Sequence, residues 1–329
     1  MVQNYGQGSA ESEVIPGSES DLHLAALLDR MRGYAEASRA PNTWRAYQSD
    51  LRHFTAWCAD RELEVFPAAG ATVAAYLTDY AGVLSVATLE RRLYALSALH
   101  RAEGLDSPAD SPEVKAVWSG IKRTHRTQRR QKTPTGTKLI AAMVAEFGER
   151  RIDTRDRALL LMGFAGAFRR SELVSLDVED ITETEDGLRI AVRRSKSDQE
   201  GEGAAVGLPY GSNPETCPVR AWRAWLGVSG IREGPAFRAI DRHDRMRDGR
   251  LSPAAVAEVV KRRAAAAGQD AAVFAAHSLR AGFATEAFGQ GVPEFSVMRH
   301  GRWKSATSMR TYIREGSLFR DNAAAKLGL

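Results

Sequence analysis

Ala275-Ala-His-Ser-Leu-Arg-Ala-Gly-Phe-Ala284 decides how this chain is read. His277 and Arg280 stand three positions apart, so on a helix they share a face and can reach one anion together. Downstream, Met309-Arg-Thr-Tyr-Ile-Arg314 sets Tyr312 among arginines, at the end of a polar segment that also holds Trp303. Upstream, Gly166-Ala-Phe-Arg-Arg-Ser-Glu-Leu173 supplies another arginine on a helical pattern. Arginine suits a phosphate clamp because its planar fork donates two parallel bonds and stays charged. Tyrosine, with an ordinary pKa of about 10, becomes a nucleophile only where cations or a base favour its phenolate. These residues fit direct attack on a phosphodiester, which needs charge on the nonbridging oxygens, a nucleophile and a proton for the leaving oxygen. The expectation is chemistry with no metal and no cofactor.

Working outward, the chain is long enough, at 329 residues, for two domains with separate cores. Its net charge of +5 favours a polyanionic partner, though weakly on its own. Cys58 and Cys217 are too few and too far apart for a disulfide framework or a zinc site, which fits a reducing compartment. Cys58, beside Trp57 in an apolar helical pattern, reads as a buried thiol. No apolar run is long enough to span a membrane, and the acidic N-terminus has the wrong character for a signal peptide. A cytoplasmic, nucleoid-associated protein is expected, and the alanine- and arginine-rich usage suggests a bacterial, plasmid or phage source.

Residues 1–20, rich in Gly, Ser, Gln and Glu, read as a flexible arm. From Leu22 the pattern is helical, with Leu24, Leu27, Leu28 and Met31 on one face. A second helix is expected after an Asn42 cap, running to about Arg61 with Trp44, Tyr47, Leu51, Phe54, Trp57 and Cys58 as its stripe. A third covers Ala71 to Tyr80. A fourth, capped by Ser85, has Leu89, Leu93, Leu96 and Leu99 inside and Arg91 and Arg92 outside. Ser111-Pro112 opens a short helix through Trp118 and Ile121. These elements make an all-α bundle over residues 21–122.

Lys122-Arg-Thr-His-Arg-Thr-Gln-Arg-Arg-Gln-Lys132 then carries no apolar residue, so residues 123–136 read as a basic interdomain linker. Beyond it, residues 137–329 read as mostly helical, with helices near 137–148, 153–166 (Asp153 as cap), 170–176, 218–227, 253–267, 277–289, 293–299, 305–313 and 317–326. Leu188-Arg-Ile-Ala-Val-Arg-Arg194 alternates as a half-buried strand does, Ser195–Gly201 reads as a hairpin tip, and Ala204 to Leu208 as the return strand.

With these residues in view, the chain resembles the tyrosine recombinases, also called the phage integrase family, over about residues 38–315. The Arg-x-Ser/Ala-Glu-Leu motif of that family reads Arg169-Arg170-Ser171-Glu172-Leu173, and the family spacing selects Arg169 over Arg170. Glu172 falls on the acidic position that braces the site, Lys196 on the hairpin-tip lysine, and His277-Ser-Leu-Arg280 on the His-x-x-Arg box. Trp303 stands where the family has His or Trp, and Tyr312 follows by nine residues as the nucleophile should. Asn42-Thr-Trp-Arg45, Trp57-Cys58, Phe66-Pro67 and Leu99-His-Arg101 resemble segments of a family member in the same order.

The resemblance implies an N-terminal core-binding bundle of the SAM-like type and a mostly helical catalytic domain with a small antiparallel sheet. It implies that Tyr312 forms a 3′-phosphotyrosyl link and releases a 5′-hydroxyl. Arg169, Arg280 and Trp303 would stabilise the transition state, Lys196 would protonate the leaving oxygen, and His277 would assist proton transfer at the nucleophile. The expected partner is double-stranded DNA with an inverted-repeat site, bound by a homotetramer on two sites through a Holliday junction, with a monomer free in solution and no membrane. The 317–326 helix would dock into a neighbouring protomer. DNA contacts are expected from Arg45, Arg91 and Arg92 on the bundle helices, and from Arg123, Arg126, Arg129 and Arg130 in the basic segment.

Taken singly, these features have plain readings. His-x-x-Arg is an ordinary surface pair, Arg169 with Glu172 an i, i+3 ion pair, and Trp303 or Tyr312 a packing aromatic. Their joint order is what points to an enzyme. Two alternatives share much of the pattern: a type IB topoisomerase-like enzyme that nicks and reseals, and a sequence-specific DNA-binding protein with an idle site. The Gly201–Gly207 stretch leads into a strand, not a helix, so it is no dinucleotide loop.

Overall fold

Ser85 supplies the local logic of the first unit. Its side chain accepts a hydrogen bond from the Thr88 N–H, starting helix α3 (Val86–Ala102), as the sequence requires. The computed structural model describes residues 41–125, 133–145, 147–193, 203–310, 312–313 and 327. The expected 1–20 arm, the helix from Leu22, Arg126, Arg129, Arg130, the hairpin tip with Lys196 and the 317–326 helix lie outside those residues. The chain divides into two compact units, Met1–Arg129 and Arg130–Leu329.

In the first unit, α1 (Pro41–Ala59), α2 (Gly70–Asp79), α3 and α4 (Pro112–His125) surround one core. Phe54, Trp57 and Cys58 of α1 meet Val73, Tyr76 and Leu77 of α2 and Leu89, Leu93 and Leu96 of α3, all at helical spacing. Tyr76 lies at its centre, edge-on to Phe54 and Trp57 at 5.0 and 5.3 Å. Three details correct the sequence reading. Helix α1 starts at Pro41, so Asn42 lies within its first turn and is not the residue before it. Helix α4 runs on to His125, which places Arg123 on its last turn and not in an extended linker. Arg92 is buried, because its guanidinium bonds the Tyr76 hydroxyl at 2.7 Å and faces Asp50, itself buried.

The second unit begins with α5 (Thr137–Ala145) and α6 (Arg151–Ala165), then the short α7 (Arg170–Ser175). Residues 158–162 of α6 are buried on every side, so this helix forms the spine of the larger core. An antiparallel sheet follows in the order β1 (Ile181–Thr184), β2 (Gly187–Val192), β3 (Ala204–Pro209). Leu188 pairs with Leu208 and Ile190 with Val206, so the alternating apolar residues of both strands point into the core. Helix α8 (Pro218–Ser229), the hairpin β4 (Arg238–Ile240) and β5 (Met246–Arg250), α9 (Pro253–Ala266), α10 (His277–Gly289) and α11 (Glu294–Gly301) follow.

Asp153 does not cap α6; it sits in the first turn and pairs with Arg263, while the residue before the helix is Arg150. The capping carboxylate comes from Asp244, whose oxygens accept from the Arg151 and Ile152 N–H groups at 2.9 Å each. Residues 306–308 form a 3-10 turn where the sequence suggested continuous helix from 305.

Helix α10 lies against the extended residues 133–136, with the Thr135 N–H donating to the Ser278 carbonyl at 3.1 Å. The approach is possible because Gly282 has no side chain: a Cβ there would stand 2.1 Å from the Thr135 carbonyl oxygen. Gly282→Ala is therefore expected to destabilise the protein by about 1–3 kcal/mol, read from its denaturation midpoint. An unchanged midpoint would mean that the contact is loose.

Candidate active site

Arg169 is the residue preceding α7, and its N–H donates to Glu172 Oε2 at 3.0 Å while its guanidinium pairs with Glu172 Oε1. Three residues on, Glu172 turns back over the helix start as an acidic residue in a first turn does. Arg170 is exposed, so the register that favours Arg169 is also the one that points inward. The other end of α7 is fixed by Arg250 of β5, which donates to the Val174 and Leu176 carbonyls at 2.7 and 3.0 Å and pairs with Asp177. Both ends of a very short helix are thus tied down.

Glu172 is 2% exposed. Its Oε2 also accepts from Arg302 Nη2 at 2.9 Å. Burial alone would raise this carboxyl, but Arg302, the Arg169 N–H and the Arg169 guanidinium outweigh it and hold it below its ordinary value. The sequence reading missed Arg302. No local pattern marks it, because its partners Gly166 and Glu172 lie about 130 residues upstream.

Helix α10 brings His277 in at its first position and Arg280 one turn later. Arg280 is 1% exposed; its Nη1 donates to the Ala167 carbonyl at 2.5 Å, and its guanidinium stacks 3.8 Å from the centre of the Trp303 ring. Its Nη2 is buried and has no hydrogen-bond partner among the described residues. Burial first, then the positive charge of Arg169 and of Arg302, brings the guanidinium down to about 9, so it still carries its charge at neutral pH. Trp303 is held in turn by Gly301, where a Cβ would stand 1.7 Å from the indole.

Tyr312, 8% exposed, packs with Ala281, Ala284, Phe288, Val297 and Met309. Its hydroxyl is 2.7 Å from His277 Nε2, and its ring centre is 6.3 Å from that of Trp303. The structure thus gathers Arg169, Glu172, His277, Arg280, Trp303 and Tyr312 into one contiguous set. Lys196 lies outside the described residues. Of the expected DNA contacts, Arg45 and Arg123 are exposed. Arg91 is half-exposed but bonds Asp50 through two donors at 2.7 and 2.8 Å, and Arg92 is turned into the bundle.

An arginine pair, a histidine and a tyrosine gathered this way on a mostly helical unit that follows a helical bundle in the sequence define a DNA-cleaving transesterase of the integrase kind. Residues 137–317 match the phage integrase family and residues 34–103 the phage integrase N-terminal SAM-like domain. The chain belongs to the phage integrase family, the tyrosine recombinases, whose members cleave and rejoin DNA. An integrase/recombinase of Selenomonas ruminantium, a XerD homolog, is 39% identical over 296 residues, covering 89% of this chain and 87% of that protein. Recombinase cre of Escherichia phage P1 is 26% identical over 324 residues, 90% of each chain. The fold matches the crystal structure of lambda integrase (residues 75–356) bound to DNA, with a TM-score of 0.60 at 17% identity, covering 91% of this chain and 97% of that one.

In the folded protein Glu172 is held below its ordinary carboxyl value by Arg302 and Arg169. Because its folded carboxyl titrates below its unfolded value, the stability it contributes is fully present above the unfolded pKa and is lost as pH falls through the folded one. Glu172→Gln leaves Arg169 and Arg302 without their counter-ion and is expected to cost about 3–5 kcal/mol at neutral pH. Denaturation midpoints of the two proteins should then converge as the pH is lowered. Parallel curves would show that Glu172 is not the ionised partner.

Proposed function

We propose that this chain is a site-specific recombinase in which Tyr312 attacks a scissile DNA phosphate, forming a 3′-phosphotyrosyl link and releasing a 5′-hydroxyl. The observation that carries this reading is the 2.7 Å contact between His277 Nε2 and the Tyr312 hydroxyl, beside the buried, partly unpartnered guanidinium of Arg280. An unsatisfied donor on a buried cation is costly unless something else receives it, and a phosphate oxygen is a fitting acceptor.

In this mechanism His277 accepts the proton as the Tyr312 oxygen bonds to phosphorus. Arg169 and Arg280 neutralise the nonbridging oxygens of the five-coordinate transition state, and Trp303 steadies Arg280 by stacking on its guanidinium. Lys196 protonates the departing 5′-oxygen. Glu172 acts through Arg169 and touches no reacting atom. The broken bond is conserved in the protein–DNA link, so rejoining reverses the same steps with a different 5′-hydroxyl. Four protomers on two inverted-repeat sites would exchange strands through a Holliday junction. The lambda integrase tetramer bound to a Holliday junction, a structure of similar fold (TM-score 0.58), is consistent with that assembly. Arg45 and Arg123, and the basic residues Arg126, Arg129 and Arg130 that follow, are the proposed phosphate contacts. Arg91 is held on Asp50 through Nε and Nη2, and neither bond uses its Nη1.

The test incubates the protein in EDTA with supercoiled DNA carrying the sequence that flanks its own gene, and scores SDS-resistant, protease-sensitive adducts. Wild type should give adducts, and Tyr312→Phe should bind the DNA and give none. Recombination by Tyr312→Phe at the wild-type rate would sink the mechanism.

A further inference from the structure

Arg302 occupies a position that the backbone would give to glycine. Helix α11 ends with the Trp303 N–H donating to the Met298 carbonyl at 3.0 Å, and the residue between, Arg302, has the left-handed φ of 57°. Glycine is the usual occupant of that place, because any Cβ is crowded there. A long charged residue in a disfavoured conformation persists when its surroundings over-determine it, and such residues cluster at functional sites.

The surroundings of this side chain are specific. Its Nη2 donates to Glu172 Oε2 at 2.9 Å and to the Gly166 and Ala167 carbonyls at 3.2 and 3.3 Å. Its Nη1 donates to the His300 carbonyl at 2.9 Å and to Gly166 at 3.3 Å. Its guanidinium also lies over the Phe168 ring, 4.9 Å from the centre. Ala167 too is left-handed, with φ 47°, and its carbonyl is the acceptor of Arg280. One guanidinium therefore touches the brace of Arg169 and the carbonyl that holds Arg280.

We propose that Arg302 is a positioning residue that locks Arg169, through Glu172, and Arg280, through the Gly166–Ala167 turn, into a single phosphate-receiving geometry. It touches no reacting atom itself. The proposal rests on the assignment of Arg169, Arg280 and Tyr312 given above, and it adds a residue that this assignment does not contain. Losing the lock would leave both arginines present but misplaced, and a misplacement of about 1 Å can slow a reaction roughly 100-fold.

Three variants test it. Arg302→Gly removes the lock and relieves the backbone, Arg302→Met keeps the bulk without the charge, and Arg302→Lys keeps the charge with fewer donors in a fixed plane. With the same supercoiled DNA, Arg302→Gly and Arg302→Met should bind with wild-type half-saturation yet form the covalent adduct roughly 100-fold more slowly, and Arg302→Lys should recover part of the loss. In the DNA-free protein, carbon-detected NMR of the Glu172 carboxyl should show it titrating at higher pH in Arg302→Gly than in wild type. Arg169, Arg280 and Arg302 are the cations coupled to it, and only the last is removed.

An unchanged adduct rate in Arg302→Gly, with Tyr312→Phe inactive, overturns the positioning role and leaves the tyrosine mechanism standing. Absence of adduct from wild type overturns that mechanism instead, and the Glu172 titration then decides the lock alone: an unmoved carboxyl overturns it. Loss of fold in all three variants would assign Arg302 to core stability and overturn the proposal as well.

Discussion

A carboxylate buried as deeply as Glu172 cannot remain ionised alone, since water no longer screens it. It is ionised here because Arg169 and Arg302 reach it from different elements of the same unit. The consequence runs both ways. Two guanidinium groups, flexible on a surface, become fixed points, and the turn at Gly166–Ala167 is fixed with them through the Ala167 carbonyl, which accepts from both Arg302 and Arg280. Charges of one sign gathered this closely repel each other, and that repulsion contributes to lowering Arg280. A site that holds several cations around one buried anion is poised to accept a further anion.

The sequence disclosed those parts whose cause is local. Ser85 at a helix start, the alternation of Leu188, Ile190 and Val192, and His277 with Arg280 one turn apart need only the residues within a few positions of each other. The choice of Arg169 over Arg170 came from the family's spacing, and it is Arg169 that bonds Glu172 three residues on.

What stayed hidden depends on contacts between distant segments. Asp153 looks like a cap, but Asp244 from the β4–β5 turn takes that place. The β4–β5 hairpin itself carries Met246-Arg-Asp-Gly-Arg250, which lacks the apolar alternation that marks a strand. Arg92 reads as an outward charge because its partners, Asp50 and Tyr76, lie on other helices. Arg302 was the least legible of all. Its role follows from a left-handed backbone and a carboxylate 130 residues away, neither of which leaves a mark in the local pattern.

The central claim is that the assembled cations serve one nucleophile, Tyr312. Its most direct measurement is mass spectrometry of the covalent adduct after protease and nuclease digestion. A nucleotide remnant joined through its 3′-phosphate should be found on the peptide containing Tyr312, and on the tyrosine oxygen. A remnant on any other residue, or one joined through a 5′-phosphate, would contradict the mechanism, however well the site is built to hold a phosphate.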